Sequence, residues 1–542
     1  MGAVGFAVFL GAMDQTVVVT LLEPILQGVN VPLDEFYRAA WVINGYILGY
    51  VVAMPLIGRV ADVYGHGRIF MLALGVFLVG SLWVAVAGSL NELIVARAVQ
   101  AVGGGGLVPV SMAIVADHVA PERRALGLGF LGAAAEGGGL FGPLWGGSWV
   151  QLLGWRGHFW INVPLAIPVI LIVLNVTGPG WLTQRPAEYL RRFAVGAAVI
   201  IAVAALAALE SQWGEGQLHT FFASTHLWVV LPLSLPLVAM MAAMPREMGA
   251  LRTPVDYVGG VLLGGALTCL AVALTDDPVA GRPLAVNAAL YVGAAAFGAA
   301  FLLRERLTKV PMLVLSLFRS RPFSAGNLTH LLMGGALIVA MVDIPVFTIV
   351  VKGGSYFEGG LNLMRLTVML PVGAVLGGFL ATWLGYHRTT ALGMLTAAVG
   401  FFLMSFWSAD IADPVFSLNL LLTGLGFGIV IAPISAAVVN AVAPHQRATA
   451  SALLVVMRLV GMLIGVALLT SRGLGQFYQR AGTIPLDSPE YRRLVTDFEV
   501  GTFSDTFLAA AVVCLIAVVP ALLIGRGIVR RFRWSEIWRA PH

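Results

Sequence analysis

GRVADVYGHGR (58–68) and GFLATWLGYHR (378–388) read as one loop written twice. They share Gly58/Gly378, Ala61/Ala381, Gly65/Gly385 and Arg68/Arg388, and they lie 320 residues apart. A second pair, VAPERRA (119–125) and VAPHQRA (442–448), repeats at a spacing of 323. Each match alone is weak, but two at nearly one spacing, in equivalent positions between apolar runs, point to an internal duplication. The duplicated unit holds six long apolar runs, and even parity gives both copies the same orientation.

Composition sets the medium. Of 542 residues 59% are apolar and only 11% charged, against roughly a quarter charged in soluble domains. Mean hydropathy is +0.91. A soluble globule and a disordered chain are both excluded. Cys269 and Cys514 each sit inside an apolar run, so no disulfide framework or thiolate metal site is expected.

A helix crosses the hydrocarbon in about 20 apolar residues. By that measure the chain carries six runs over 3–177, four over 193–303 and six over 323–526, or sixteen spans, with fourteen the alternative. The expected fold is an all-α polytopic membrane protein. An N-terminal six-helix half (1–178) and a C-terminal one (323–542) flank a central linker with inserted helices (179–322). Basic residues collect in alternate connections, such as Arg59 with Arg68, Arg123 with Arg124, and Arg304 with Arg306. The positive-inside rule makes those connections, and both termini, cytoplasmic. Parallel six-span repeats suit a secondary transporter with its site between the halves.

The motifs carry a resemblance. GRVADVYGHGR is similar to the loop signature of the major facilitator superfamily, and RAVQAVGGGG (97–106) to its fourth-helix motif. GGGLFGPLWGG (137–147) resembles the fifth-helix motif of its drug:proton antiporters. MDQTVVVTLLEPI (13–25), WRGHFWINVPLA (155–166), Asp256-Tyr257 and FRSRPFSAGN (318–327) resemble the group with extra central helices. Within it, MDQTVVVT, Glu136 before its glycine run and RPAEYLRR (185–192) look most like mycobacterial exporters tied to triacylglyceride and multidrug efflux. The usual group has fourteen spans, which marks 193–244 as an additional pair. The resemblance implies an exporter of hydrophobic or amphiphilic drugs or lipids, driven by proton entry, in the bacterial cytoplasmic membrane.

Charges at mid-bilayer cost roughly 2.5–3.5 kcal/mol each on insertion scales, so each needs a reason. Asp14 lies about 15 Å into its span at 1.5 Å per residue, too deep to snorkel. Glu136 is equally central, and Arg97 and Arg458 are the intramembrane cations. Burial raises a carboxylate's pKa and a nearby Arg lowers it, so an acid moving between such surroundings takes up and releases a proton. In the resembled exporters the matching acids and the later Arg form the proton pathway. That assigns proton coupling to Asp14, Glu136 and Arg458, with Arg97 beside them.

Gly58, Asp62, Gly65 and Arg68, with Asp117 and Arg124, are expected to form a conformational latch with helix ends. Thr382 stands where the first copy has Asp62, which makes any latch one-sided, and His66 reads as a solvated loop residue. Gly138, Gly142, Pro143 and Gly146 are expected to make a bendable seam between the halves. Trp41, Asn44, Tyr46, Met54 and Phe141 suit either an apolar cavity floor or plain packing. Asp343 and Arg365 suit an outer gate or an interface pair. The longest external loop is 471–503, a candidate surface for an external lipid-carrying lipoprotein.

No Walker loop, HExxH pair or G-x-S-x-G elbow occurs, so neither ATP hydrolysis nor an intramembrane enzyme is expected. No cofactor, metal or nucleic acid is implied, and the expected state is a monomer in the lipid bilayer. The competing functions are a proton symporter for a small polar solute and a non-transporting receptor or scaffold. Few polar cavity residues and the glycine–proline fifth helix disfavour the first, and intramembrane acids the second.

Overall fold

Long apolar runs in a hydrocarbon solvent must satisfy every backbone N–H and C=O internally, and the helix does so within one segment. In the computed structural model the described residues, 2–29, 36–177, 256–274, 284–308, 311, 313, 315–481 and 489–527, are helical, without strands. The helices are α1 (Gly2–Gly28), α2 (Phe36–Tyr64), α3 (His66–Val86), α4 (Leu90–His118) and α5 (Arg124–Thr177). They continue with α6 (Tyr257–Leu274), α7 (Leu284–Leu307), α8 (Arg321–Val350), α9 (Tyr356–Thr367) and α10 (Met369–Leu384). The last four are α11 (Tyr386–Met404), α12 (Asp413–Asn440), α13 (Arg447–Ala481) and α14 (Pro489–Leu523). Among the described residues eleven helices are long and apolar enough to cross a membrane, or twelve if the bent pair Gly2–Val18 and Thr20–Gly28 is one span. The expected runs at 193–210 and 227–244 lie outside the described residues.

The duplication is visible in the packing. In the first set α1 packs on α5, and α2 and α3 pack on α4. In the second α8 packs on α13, and α10 and α11 pack on α12. The two sets meet through matching partners, α5 against α10 and α12, and α13 against α2 and α4. The α6–α7 pair rests on α2 and α13, where Leu267 joins Tyr46, Tyr50, Met54, Ala452 and Val456 in an apolar cluster. Its lower end is tied by Asp256, whose carboxylate accepts from Arg304 Nε at 2.9 and 3.0 Å and from the Gly259 N–H at 3.0 Å. Burial pushes the Asp256 carboxyl up, but these donors outweigh it and hold it below the usual carboxylate range.

Three expectations change. The glycine seam of α5 is not between the halves. A Cβ at Gly138 would strike Phe9 O, one at Gly142 would strike Thr16 Oγ1, and one at Gly146 would strike Thr20 Oγ1, all on α1 of the same half. Close approach without side chains therefore welds α1 to α5, while the earlier Gly129 and Gly132 on α5 face Ala374 and Ile431 of the other half. The α5 backbone also stays helical through Pro143 and departs from helical geometry at Gly154 (φ 65°). The stretch 471–503 is largely helix, because α13 continues to Ala481 and α14 begins at Pro489. Only 482–488 between them is undescribed.

Candidate functional site: two buried charge networks and an interlocking latch

Asp14 sits on α1, wholly buried, and draws donors from α4 and from the part of α5 beyond Gly154. Arg97 Nη1 donates to Oδ2 at 2.5 Å, and Arg97 Nη2 to the Asp14 backbone oxygen at 3.3 Å. Oδ1 accepts from Gln100 Nε2 at 3.0 Å, Asn162 Nδ2 at 2.9 Å and His158 Nε2 at 3.3 Å. Ser81 on α3 supports this shell by donating to Phe159 O at 2.8 Å and accepting from Asn162 at 3.0 Å. The Arg97 guanidinium lies 4.0 Å over the Tyr46 ring, a cation–π contact that substitutes for lost water. Asp14, Arg97, Gln100, His158 and Asn162 are each 0% exposed, so the network is shut off from solvent.

Glu136 and Arg458 form a different kind of pair. Arg458 Nη1 donates to Oε1 at 2.5 Å and Nη2 to Oε2 at 3.3 Å, with side chains 15% and 19% exposed. The pair links α5 of the first set to α13 of the second, so it crosses between the repeats. On the far side of α13, Gly334 of α8 presses on Arg458 O, and His330 Nδ1 donates to Leu454 O at 2.7 Å. α8 thereby fixes the backbone from which Arg458 reaches Glu136.

At the loop end the repeats interlock. Gly65 (φ 96°) and Gly385 (φ 80°) occupy the left-handed region that breaks each helix pair. Gly58 approaches Ala448 O, with a built Cβ at 2.8 Å, and its counterpart Gly378 approaches Ala125 O at 3.0 Å. Asp62 caps α13 across the interface, accepting from Ala448 N at 2.9 Å, Thr449 N at 2.8 Å and Thr449 Oγ1 at 2.5 Å. Thr382 instead donates to Phe379 O in its own helix.

The interlock is nevertheless two-sided. Asp117 accepts from His66 Nδ1 of its own half at 2.6 Å and from Arg447 Nη1 of the other at 2.6 Å. In the second copy Asn440 donates to Tyr386 Oη at 3.0 Å and accepts from Arg124 Nη1 at 2.6 Å. The second copy replaces charge by amide and phenol, which motif comparison at Thr382 alone misses. His66 is no solvated bystander: Nε2 also lies 3.0 Å from Asp62 Oδ1. With carboxylates on both ring nitrogens, only the doubly protonated imidazolium donates to both. A cavity of about 340 Å³ opens beside it, lined by Tyr64, Gly65, Arg68 and His118 among others.

Asp343 and Arg365 are not brought together. Asp343 meets the Thr506 hydroxyl at 2.7 Å, and Arg365 donates to Asp413 at 2.9 Å and Ser417 at 2.7 Å. Tyr46 and Met54 are buried in packing, and Phe141 is 40% exposed against Phe9 and Trp145. The side chains of Trp41 and Asn44 lie outside the described residues. His158, Gln100, Asn162, Arg447 and Asn440 escaped the sequence reading. The signal for the last two lay in the repeat itself, since Asn440 aligns with Asp117 and Arg447 with Arg124.

Duplicated helices, buried acids and an interlocking loop end coincide with the comparisons to known proteins. The family model for the Major Facilitator Superfamily matches residues 4–466. The chain belongs to the Major Facilitator Superfamily. It is similar to a triacylglyceride transporter of Mycolicibacterium hassiacum, 34% identical over 88% of this chain and 80% of the relative. A triacylglyceride transporter of Mycolicibacterium smegmatis is 32% identical over 97% of this chain and 87% of its own length. Among solved structures, a major facilitator proton:xylose symporter shares the fold, with a TM-score of 0.52 at 14% identity over 94% of this chain and 93% of that one. A human organic anion transporter gives 0.50 at 17% identity, covering 94% and 99%. The protein is thus a multi-pass major facilitator transporter and not an enzyme.

Proposed function

We propose that this transporter is a proton-driven exporter of hydrophobic or amphiphilic molecules, lipids such as triacylglycerides first among them. It works by alternating access in a bacterial cytoplasmic membrane with both termini inside. The Glu136–Arg458 pair carries the reading, because it is partly accessible and tethers α5 to α13 across the repeats. A proton on Glu136 removes the charge that holds Arg458, so protonation and separation of the halves become one event. The loop-end latch holds the cytoplasmic side shut in this conformation and favours the state open to the other side. The Asp14–Arg97 network is the second charge centre, sealed within the first half. The relatives' names favour lipid cargo, and the apolar character of the region around Tyr50 and Val456 accords with it. The 179–322 block is read as a linker with inserted helices, and the α13–α14 hairpin as the surface for an external lipid-carrying lipoprotein.

The experiment is transport of a fluorescent triacylglycerol in proteoliposomes under an imposed pH gradient. Glu136→Gln keeps the shape and loses the titrating group. It is expected to abolish gradient-driven accumulation while leaving exchange at equal pH. Gradient-driven transport at the native rate in that variant would refute the assignment.

A further inference from the structure

The Asp14 carboxylate is hydrogen-bonded on both oxygens. Each oxygen offers about two acceptor sites. Oδ1 takes Gln100, Asn162 and His158, and Oδ2 takes Arg97 Nη1. A proton on Asp14 would enter at Oδ2, against that guanidinium, and remove the charge from all four contacts inside a shell that is 0% exposed. His158 differs. Its Nε2 faces Asp14 and so carries the hydrogen, whereas Nδ1 is buried with no partner among the described residues. The Asn162 Oδ1 oxygen is likewise buried without a donor, one helical turn further along the same helix. A proton added at His158 Nδ1 displaces nothing and creates an N–H beside the turn that holds this empty acceptor.

Charge does not favour the acid over the ring. With Asp14 ionised and Arg97 cationic the cluster is neutral, and one added proton makes it +1 wherever it binds. Local geometry decides between the two. The ring meets Asp14 of α1, which also holds Arg97 and Gln100 of α4 and Asn162 of the ring's own helix, with Ser81 of α3 behind Asn162 and Tyr46 of α2 behind Arg97. The Phe159 ring stands edge-on at 5.0 Å.

We propose that His158 Nδ1 is the proton-binding atom of this buried network, a step that rests on the proton-coupled reading above. The protonated ring competes with Arg97 for Asp14, which weakens the hold of α4 on α1. Because the shell is closed in this conformation, the proton exchanges only when the helices part, so its binding is tied to the conformational cycle.

The test uses the full-length protein, labelled with ¹⁵N-histidine and reconstituted in lipid nanodiscs, with His158→Gln identifying the resonance. Gln keeps one N–H for Asp14 and loses the titration. The ring nitrogens are expected to move from a neutral Nε2–H tautomer to an imidazolium as pH falls, while the ¹³C carboxyl signal of Asp14 stays that of an ion. In proteoliposomes His158→Gln is expected to lose the pH dependence of triacylglycerol accumulation yet keep exchange. A neutral ring throughout the range in which native transport titrates, with Asp14 taking the proton instead, overturns the proposal, and so does an unaltered pH profile in His158→Gln. If the variant fails to fold, the ¹³C signal of Asp14 in the native protein decides alone. Native transport indifferent to the gradient would overturn the exporter reading, whereas the nanodisc titration tests the protonation of His158 independently of transport.

Discussion

Replacing Asp62 by Asn tests whether the loop-end interlock sets the conformational balance. Asp62 is fully buried in its side chain and accepts from two backbone N–H groups of α13, the Thr449 hydroxyl and His66. Asn is as good a helix cap as Asp, so the cap itself survives. Lost are the ion pair with His66 and the charge on three hydrogen bonds, and the new amide NH₂ points at donors. Charged hydrogen bonds contribute about 1.5–3 kcal/mol against 0.5–1.5 for neutral ones. The shut end therefore loses roughly 2–4 kcal/mol relative to the open one, by summing about 1 kcal/mol over those contacts. At 1.4 kcal/mol per tenfold, that shifts the balance about 30- to 700-fold toward the open end. The assay is pulsed dipolar spectroscopy between spin labels at Ala120 and His445, which are exposed on opposite halves, with Cys269 and Cys514 replaced. The native protein is expected to give one short distance and Asp62→Asn a dominant longer one. An unchanged distribution in a folded variant would refute the reasoning.

Two further outcomes follow from the packing. Gly142→Ala places a Cβ on Thr16 Oγ1 and 2.6 Å from Met13 O, whereas Gly137 has open space around it. Overpacking costs about 1–3 kcal/mol, so thermal unfolding in detergent should show a lower midpoint for Gly142→Ala and an unchanged one for Gly137→Ala. Asp256 has a lowered folded-state pKa, so its contribution is present above the usual carboxylate range and is lost as pH falls through the lowered value. Protection factors of the α6 amides, corrected for the slower intrinsic exchange at low pH, should therefore fall on acidification in the native protein. In Asp256→Asn they should be low at every pH.

The repeat, the helical medium and the buried acids were all legible in the sequence, because apolar runs and duplicated loops are local or periodic signals. Asp14 and Glu136 could be singled out since a charge inside a 20-residue apolar run stands alone. Their partners could not be ranked, because separation along the chain misleads: Glu136 lies nearer Arg97 in sequence yet pairs with Arg458, 322 residues away, and only packing decides which acid each reaches. His158 gives no such signal: an imidazole among aromatics is equally at home in a core. The glycine seam shows a different limit. Small residues at helical spacing announce a close neighbour without saying which helix it is, and α1 proved to be that helix. His66 was misread because its two acids come from different helices, Asp62 one turn before and Asp117 at the end of α4.

The two copies of the latch match in geometry and differ in charge. Three ions in a row, His66, Asp117 and Arg447, hold one side, and a phenol, a carboxamide and Arg124 hold the other. Two identical bolts would have no preferred order of release. Added salt and rising pH are expected to loosen the ionic bolt and leave its twin largely untouched. In the cycle proposed above, opening would then acquire a sequence in time, set by the solution bathing that end of the molecule. A duplicated gene has in this way yielded a door whose two fastenings answer to different keys.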